Sequence, residues 1–167
     1  MATRTNTKIG DVFEVKLDDN SKKHFQYIAN DLTQLNSDVI RAFKKRYFLN
    51  ENPSFNEIVT DEVDFYAHCI TKLGIKLNLW KKIGNISDIG ELKEIIFRSS
   101  RDVGVKVGEE PVKISYNWYI WKINEPFNKV GRLEGANQKA EIGTVVNPYD
   151  IIDRMKAGKY NFVYPGF

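Results

Sequence analysis

Val12-Phe13-Glu14-Val15-Lys16-Leu17-Asp18-Asp19-Asn20-Ser21-Lys22-Lys23-His24-Phe25-Gln26-Tyr27-Ile28-Ala29 is the stretch that decides how this chain folds. Phe13, Val15 and Leu17 recur at every second position, which places them on one face of a strand. The cluster Asp18-Asp19-Asn20-Ser21 turns the chain, because short polar side chains can hydrogen-bond their own backbone. Phe25, Tyr27 and Ala29 then resume the period of two. The stretch therefore predicts an antiparallel hairpin with one buried face.

The same pattern continues outward. Val39, Arg41 and Phe43 alternate with Ile40 and Ala42 in a third candidate strand, which stops before Asn50-Glu51-Asn52-Pro53. Val63, Phe65, Ala67 and Cys69 make a fourth, and Ile75, Leu77 and Leu79 a fifth, joined through a short connection containing Gly74. Residues 87–97 read either as a capped helical turn or as a turn running into a strand. Ile114, Tyr116, Trp118 and Ile120 alternate with Asn117, Tyr119 and Trp121, so aromatic groups stand on both faces of a strand that should be central. Lys129 to Leu133 and Glu141 to Val146 predict two more, linked by a loop containing Gly135.

The end of the chain changes period. Asn147 can accept from the free amides of a first helical turn, Pro148 fits the first helical position, and Gly158 supplies a left-handed terminator. A helix this short is not stable alone, so Ile151, Ile152 and Met155 must dock on something, with the aromatic tail Tyr160 to Phe167 pinning them. The expectation is a single α+β domain over residues 1–167, with residues 1–7 flexible. It consists of a mostly antiparallel, strongly curved β-sheet or partly open barrel with a short C-terminal helix.

Composition bounds the function. The chain has 167 residues, of which 42% are hydrophobic and 13% aromatic, enough for one ordinary core. Twenty-five Lys and Arg against 22 Asp and Glu leave +3, far from the basic excess of a nucleic-acid or membrane-surface binder. No apolar run approaches the roughly 18 residues of a membrane span, and the start lacks the apolar stretch of a signal peptide. With Cys69 alone, no internal disulfide can form. These features together place the chain in a reducing cytoplasm.

The chemical inventory is thin. His24, His68 and Cys69 are the only metal-ligating residues besides the acids, and adjacent His68 and Cys69 on a strand point to opposite faces. Cys69 therefore reads as core, in register with Phe65 and Ala67; its alternative, a nucleophile paired with His24, would need an exposed electropositive setting. No glycine-rich phosphate loop, Gly-x-Ser-x-Gly elbow or His-Glu-x-x-His helix is present, so neither a metal nor a cofactor is expected.

Two surface features compete with structural explanations. Glu51, Glu57, Asp61, Glu62 and Asp64 fall in one stretch without Lys or Arg, after the basic cluster Arg41, Lys44, Lys45 and Arg46. That is either a solvated loop and strand face or an acidic patch steering a basic partner. Lys72, Lys76, Lys81 and Lys82 read as a solvated edge that resists strand-to-strand aggregation. Tryptophans in strands are usually core, yet Tyr119 and Trp121 share a face and an exposed pair would suit a binding hot spot.

Four islands carry a family resemblance: Lys8 to Val15, the Asn117-Trp118-Tyr119-Ile120-Trp121 strand, Glu141 to Val146, and the tail from Asn147 to Phe167. The tail is the specific one, with its Pro-x-x-Ile-x-x-Arg and Gly-Lys-Tyr-x-Phe-Val-Tyr-Pro-Gly patterns. Together they resemble the immunity protein 26 family. The resemblance implies a small cytosolic α+β protein of a bacterial polymorphic toxin system, one that binds and neutralises a cognate toxin domain. Under that reading Glu57, Asp61, Glu62, Asp64, Tyr119 and Trp121 are the candidate toxin-binding residues, and no nucleic acid or membrane is bound. Because one member of the grouping is named a small phosphotriesterase, hydrolysis is the rival implication; it would require His24, His68 and nearby carboxylates to converge in one pocket. A nucleic-acid-binding β domain is a third reading.

Overall fold

The computed structural model describes residues 5–167, so the expectation of flexibility at residues 1–4 lies outside the described residues. Among the described residues, eleven strands and three α-helices follow in chain order. The first group is β1 (Asp11–Lys16), β2 (Ser21–Asp31), β3 (Ser37–Phe43), β4 (Tyr47–Phe48), α1 (Phe55–Val59), β5 (Val63–Cys69) and α2 (Thr71–Lys76). After it come β6 (Lys81–Asn85), β7 (Ile96–Ser100), β8 (Trp118–Lys122), β9 (Asn128–Gly131), β10 (Glu141–Ile142), β11 (Val145–Val146) and α3 (Pro148–Ala157). They form two sheets. Sheet one has seven strands in the order β11-β5-β3-β2-β1-β6, with β4 also on β2; sheet two has four, β10-β7-β8-β9. The protein is α+β and mostly antiparallel with a short C-terminal helix, but both sheets are open rather than closed or strongly curled.

The opening hairpin forms as its residues dictate. Phe13 pairs with Phe25 and Val15 with Lys23, while Asp18 Oδ1 accepts from the amides of Asn20 and Ser21 at 2.8 and 2.7 Å. Phe13, Val15, Phe25, Tyr27, Ile40, Ala42, Phe65, Ala67 and Cys69 line one face of sheet one, which α2, α3 and Trp80 cover. The bulge between Tyr27 and Ala29 breaks the expected period, so Ala29 turns to the opposite face and packs with Ile28 and Val39. That second face lies partly under sheet two and partly under α1, which buries Ile58 and Val59 on Val12 and Phe43. Sheet one is thus the middle of three layers. Near the start of the described residues, Thr71 Oγ1 donates to Asp38 Oδ2 at 2.6 Å and accepts from the Thr7 hydroxyl at 2.8 Å.

Three expectations change. Ile75, Leu77 and Leu79 are not a strand, because Thr71–Lys76 is helical and Ile75 and Leu79 pack on the core from above. Gly74 does not serve a turn there; its face lies against the Trp80 ring so closely that a Cβ would overlap it. The strand expected from Ile114 begins only at Trp118, since Ser115 is drawn into a knot with Asp102 and Ser100 at 2.6 and 2.5 Å. Lastly, Glu141 to Val146 is two strands. β10 runs parallel to β7 in sheet two and β11 parallel to β5 in sheet one, with the crossing at Gly143. Residues 87–97 resolve as a loop leading into β7.

The terminal helix matches its sequence signals. Asn147 Oδ1 accepts from the Tyr149 amide at 2.9 Å, Pro148 opens the first turn, and Gly158 ends the helix at φ 79°. Ile151 and Met155 are fully buried, each contributing about 1.5–3 kcal/mol by leaving water. α1 was hidden in the acidic stretch, although Ser54 and Glu57 form a reciprocal capping box, a sequence-level helix start.

Gly143 lies where sheets one and two are joined, and a Cβ there would collide with the Trp121 ring and the Arg98 carbonyl. Gly143→Ala should therefore lower stability by about 1–3 kcal/mol through overpacking, measured as a shift of the urea midpoint at unchanged slope, whereas Gly135→Ala, which meets no neighbour, should cost less.

Candidate functional site

The residues singled out by the sequence fall into separate places. Glu57, Asp61, Glu62 and Asp64 gather around α1 and the start of β5, and each is engaged locally. Glu57 Oε2 accepts from the Ser54 amide at 2.8 Å, and Asp61 Oδ2 from the Lys45 amide at 2.7 Å. Glu62 pairs with Lys44 at 2.5 Å and Asp64 with Lys23 at 3.7 Å. Of the basic cluster that precedes the stretch in sequence, only the Lys44 side chain folds back to pair with it, and Lys23 from β2 supplies the other cation. Exposed pairs of this kind add little stability, but they weaken the outward field of an acidic patch.

Tyr119 and Trp121 do share a face of β8, with ring centroids 5.9 Å apart and planes 24° from parallel. They are not both exposed. Trp121 is 3% accessible and belongs to the layer between the sheets, so its part as a surface anchor is corrected by its burial. Tyr119 is half-buried and continues outward to Phe127, 4.9 Å away and 45% exposed. These two rings, with Trp118, Asn117, Arg101 and Lys129, line a groove of about 410 Å³ along β8 and β9. Beside it Tyr116 is 56% exposed, with the Arg132 guanidinium 4.8 Å over its ring. The groove is apolar at its floor and cationic at its rim, the distribution found in protein-binding surfaces.

The histidines do not converge. Cys69 is core on the α2 and α3 side of sheet one, its thiol pushed well up by burial, while His24 stands on the opposite face. That arrangement removes the His24–Cys69 pair as a nucleophilic unit. His68 is wholly buried between the sheets, where Nε2 lies 2.9 Å from Asp31 Oδ2. Asp31 Oδ2 also accepts from Trp121 Nε1 at 2.9 Å, and Oδ1 from the amides of Asn124 and Gln34 at 3.1 and 3.2 Å. Four donors hold Asp31 ionised, and burial lowers the His68 pKa against the pull of Asp31, so a neutral ring donates Nε2–H and leaves Nδ1 without a partner.

His24 pairs with another acid. On the hairpin it faces Glu14, whose Oε2 lies 3.6 Å from His24 Nε2 and 3.1 Å from Nζ of the buried Lys22. Lys81 reaches the other oxygen at 3.2 Å, and the cluster lines a cavity of about 250 Å³ under Pro53 and Phe55. Cross-strand alternation could have found Glu14 opposite His24. That a segment from Tyr47 to Phe55 would roof them over could not be read locally. Lys81 and Lys82 do stand on an edge strand, whereas Lys72 and Lys76 lie on α2. Among the described residues no three His, Cys, Asp or Glu side chains form a metal-binding group. Among the described residues no helix is long and apolar enough to cross a membrane.

Buried titratable groups fix a direction for acid response. Burial depresses the His24 and His68 pKa values, while hydrogen bonds and lysines depress Glu14 and donors depress Asp31 against the opposing effect of burial. For a depressed group the unfolded chain takes up protons first as pH falls, so stability is complete above the unfolded value and is lost below it. Urea midpoints should be flat from about pH 8 to 7, fall as pH drops below about 6.5, and fall again below about 4.5. His68→Asn should flatten the first fall while lowering the plateau.

No family model, no curated protein and no solved structure matches this chain.

Proposed function

We propose that this protein is an immunity protein, a binding module that neutralises a cognate toxin domain by occluding it in the cytoplasm. The observation that supports this reading best is the groove on β8 and β9. Tyr119 and Phe127 offer large, stiff apolar area beside the packed Trp121 ring, so little entropy is lost when a partner engages them. Arg101 and Lys129 at the rim would meet acidic groups flanking an apolar anchor on the toxin. The terminal motif that carries the family resemblance agrees with the same reading. Glu57, Asp61, Glu62 and Asp64 are weaker candidates, since Lys44 and Lys23 already answer two of them. The function requires no catalysis.

A second reading, a small hydrolase, has the Glu14–His24 cavity in its favour, with Lys22 and Lys81 as the accompanying cations. If that is the activity, turnover of a phosphotriester should vanish in His24→Gln while the fold is kept.

The binding reading is tested by co-expressing the chain with the toxin domain encoded beside its gene, scoring host survival and co-purification. The expected complex is 1:1 and buries on the order of 1,600 Å². Tyr119→Ala and Phe127→Ala should each weaken it by more than about tenfold, or over 1.4 kcal/mol. Asp61→Lys should change affinity much less. Survival without any complex would exclude occlusion, and equal affinity of both aromatic variants would move the interface elsewhere.

A further inference from the structure

A second cleft, between the C-terminal tail and sheet two, brings four cations to one carboxylate. Arg98 from β7, Arg154 from α3, Lys139 and Lys159 line it together with Glu141, and Tyr160 and Tyr164 are among its aromatic walls. Its volume is about 450 Å³, within the range of small-molecule sites. Taken alone, those five ionisable groups sum to three positive charges in a partly enclosed space.

Both guanidinium groups are fixed in place. Arg98 lies 5.7 Å from the Trp118 ring centroid and 5.1 Å from that of Phe167, and Arg154 lies 4.2 Å over Phe65 and 4.7 Å over Tyr160. Their hydrogen-bonding capacity is largely unspent. Each guanidinium carries five N–H donors. Arg98 gives one to the Ala140 carbonyl and its buried Nε finds no acceptor, while Arg154 gives one to Glu141 at a long 3.4 Å. Tyr160 Oη is likewise buried without a partner. Burial pushes the Tyr160 and Tyr164 hydroxyls up to about 12, and Tyr164 donates to the Arg98 carbonyl at 3.1 Å. Rigid, half-buried and unsatisfied cations of this kind cost free energy until an anion meets them.

We propose that this cleft binds a small oxyanion, a phosphate or carboxylate group on a compact molecule, gripped by Arg98 and Arg154 with Lys139 and Lys159 at its mouth. Two planar forks suit the paired oxygens of such a group, and the tyrosine walls favour a ligand with a flat or apolar remainder. The site stands apart from the Tyr119 groove, so it holds whether or not that groove receives a toxin.

The test uses inorganic phosphate and citrate, titrated into the full chain at low ionic strength while the Arg Nε–H and Trp Nε1–H resonances are followed. Saturable shifts with a Kd below about 1 mM are expected, absent with chloride at matched ionic strength. Arg154→Lys keeps the charge but loses the fork and should weaken binding about tenfold. Because Arg154 also packs on Phe65, the double variant Lys139→Glu, Lys159→Glu at two exposed positions serves as the second probe, with the same loss expected. Saturation by phosphate alone assigns a phosphorylated ligand, and saturation by citrate alone a carboxylate. A linear response, one reproduced by chloride, or one unchanged in the double variant would overturn the proposal.

Discussion

The Asp31 carboxylate holds the two sheets in register, and much of the molecule follows from it. A buried charge is tolerated only when its oxygens are met on all sides, and here the donors come from three directions: His68 on β5, Trp121 on β8, and the backbone at Gln34 and Asn124. Sheet one supplies the acid and the imidazole, and sheet two supplies the indole. Apolar contacts between Ile28, Val39, Ile95, Phe97 and Trp121 contribute most of the attraction but little positional preference. The carboxylate adds the preference, because sliding one sheet over the other would strand a buried anion.

A second polar bridge works in the same way at the other end of that face. Gln26 and Arg41 are buried on neighbouring strands, with Arg41 Nε donating to Gln26 Oε1 at 2.9 Å. Their remaining donors go to the carbonyls of Ile86 and Asp88, at 3.0–3.1 Å, which fastens the loop leading to sheet two. Gly90, at φ 75°, lies so close to Arg41 that a side chain there would displace the guanidinium. The middle layer is therefore apolar on the face toward α3 and mixed on the face toward sheet two.

This division explains what the sequence made legible. The face under α3 is apolar at every second residue, so the hairpin, β3 and β5 were evident from Phe13, Phe25, Ile40 and Phe65. The helix ends at Asn147 and Gly158 were evident because caps are local. The other face mixes His24, Gln26, Arg41 and His68 with apolar residues, and such a pattern reads as solvent-exposed until the covering layer is known. Leu77 and Leu79 misled because their spacing fits a strand locally, whereas packing against Trp80 selects the helical turn before them. In the candidate site, Tyr119 was found and Phe127 was missed. Phe127 lies in a loop that reaches Tyr119 only after β8 and β9 pair.

The crossing strand at Glu141 to Val146 has a consequence for how the protein is made. β10 must find β7 across more than forty residues and β11 must find β5 across more than seventy, and both pairings are parallel. Contacts this distant in sequence form late and slowly. During synthesis the strands of sheet one emerge before α3, whose Ile151 and Met155 cover their apolar face. Until residues 145–155 have emerged and docked, that face remains open and β5 keeps an unpaired edge. A chain cut before Gly143 would carry both liabilities permanently, an uncovered apolar face and an unpaired β5 edge.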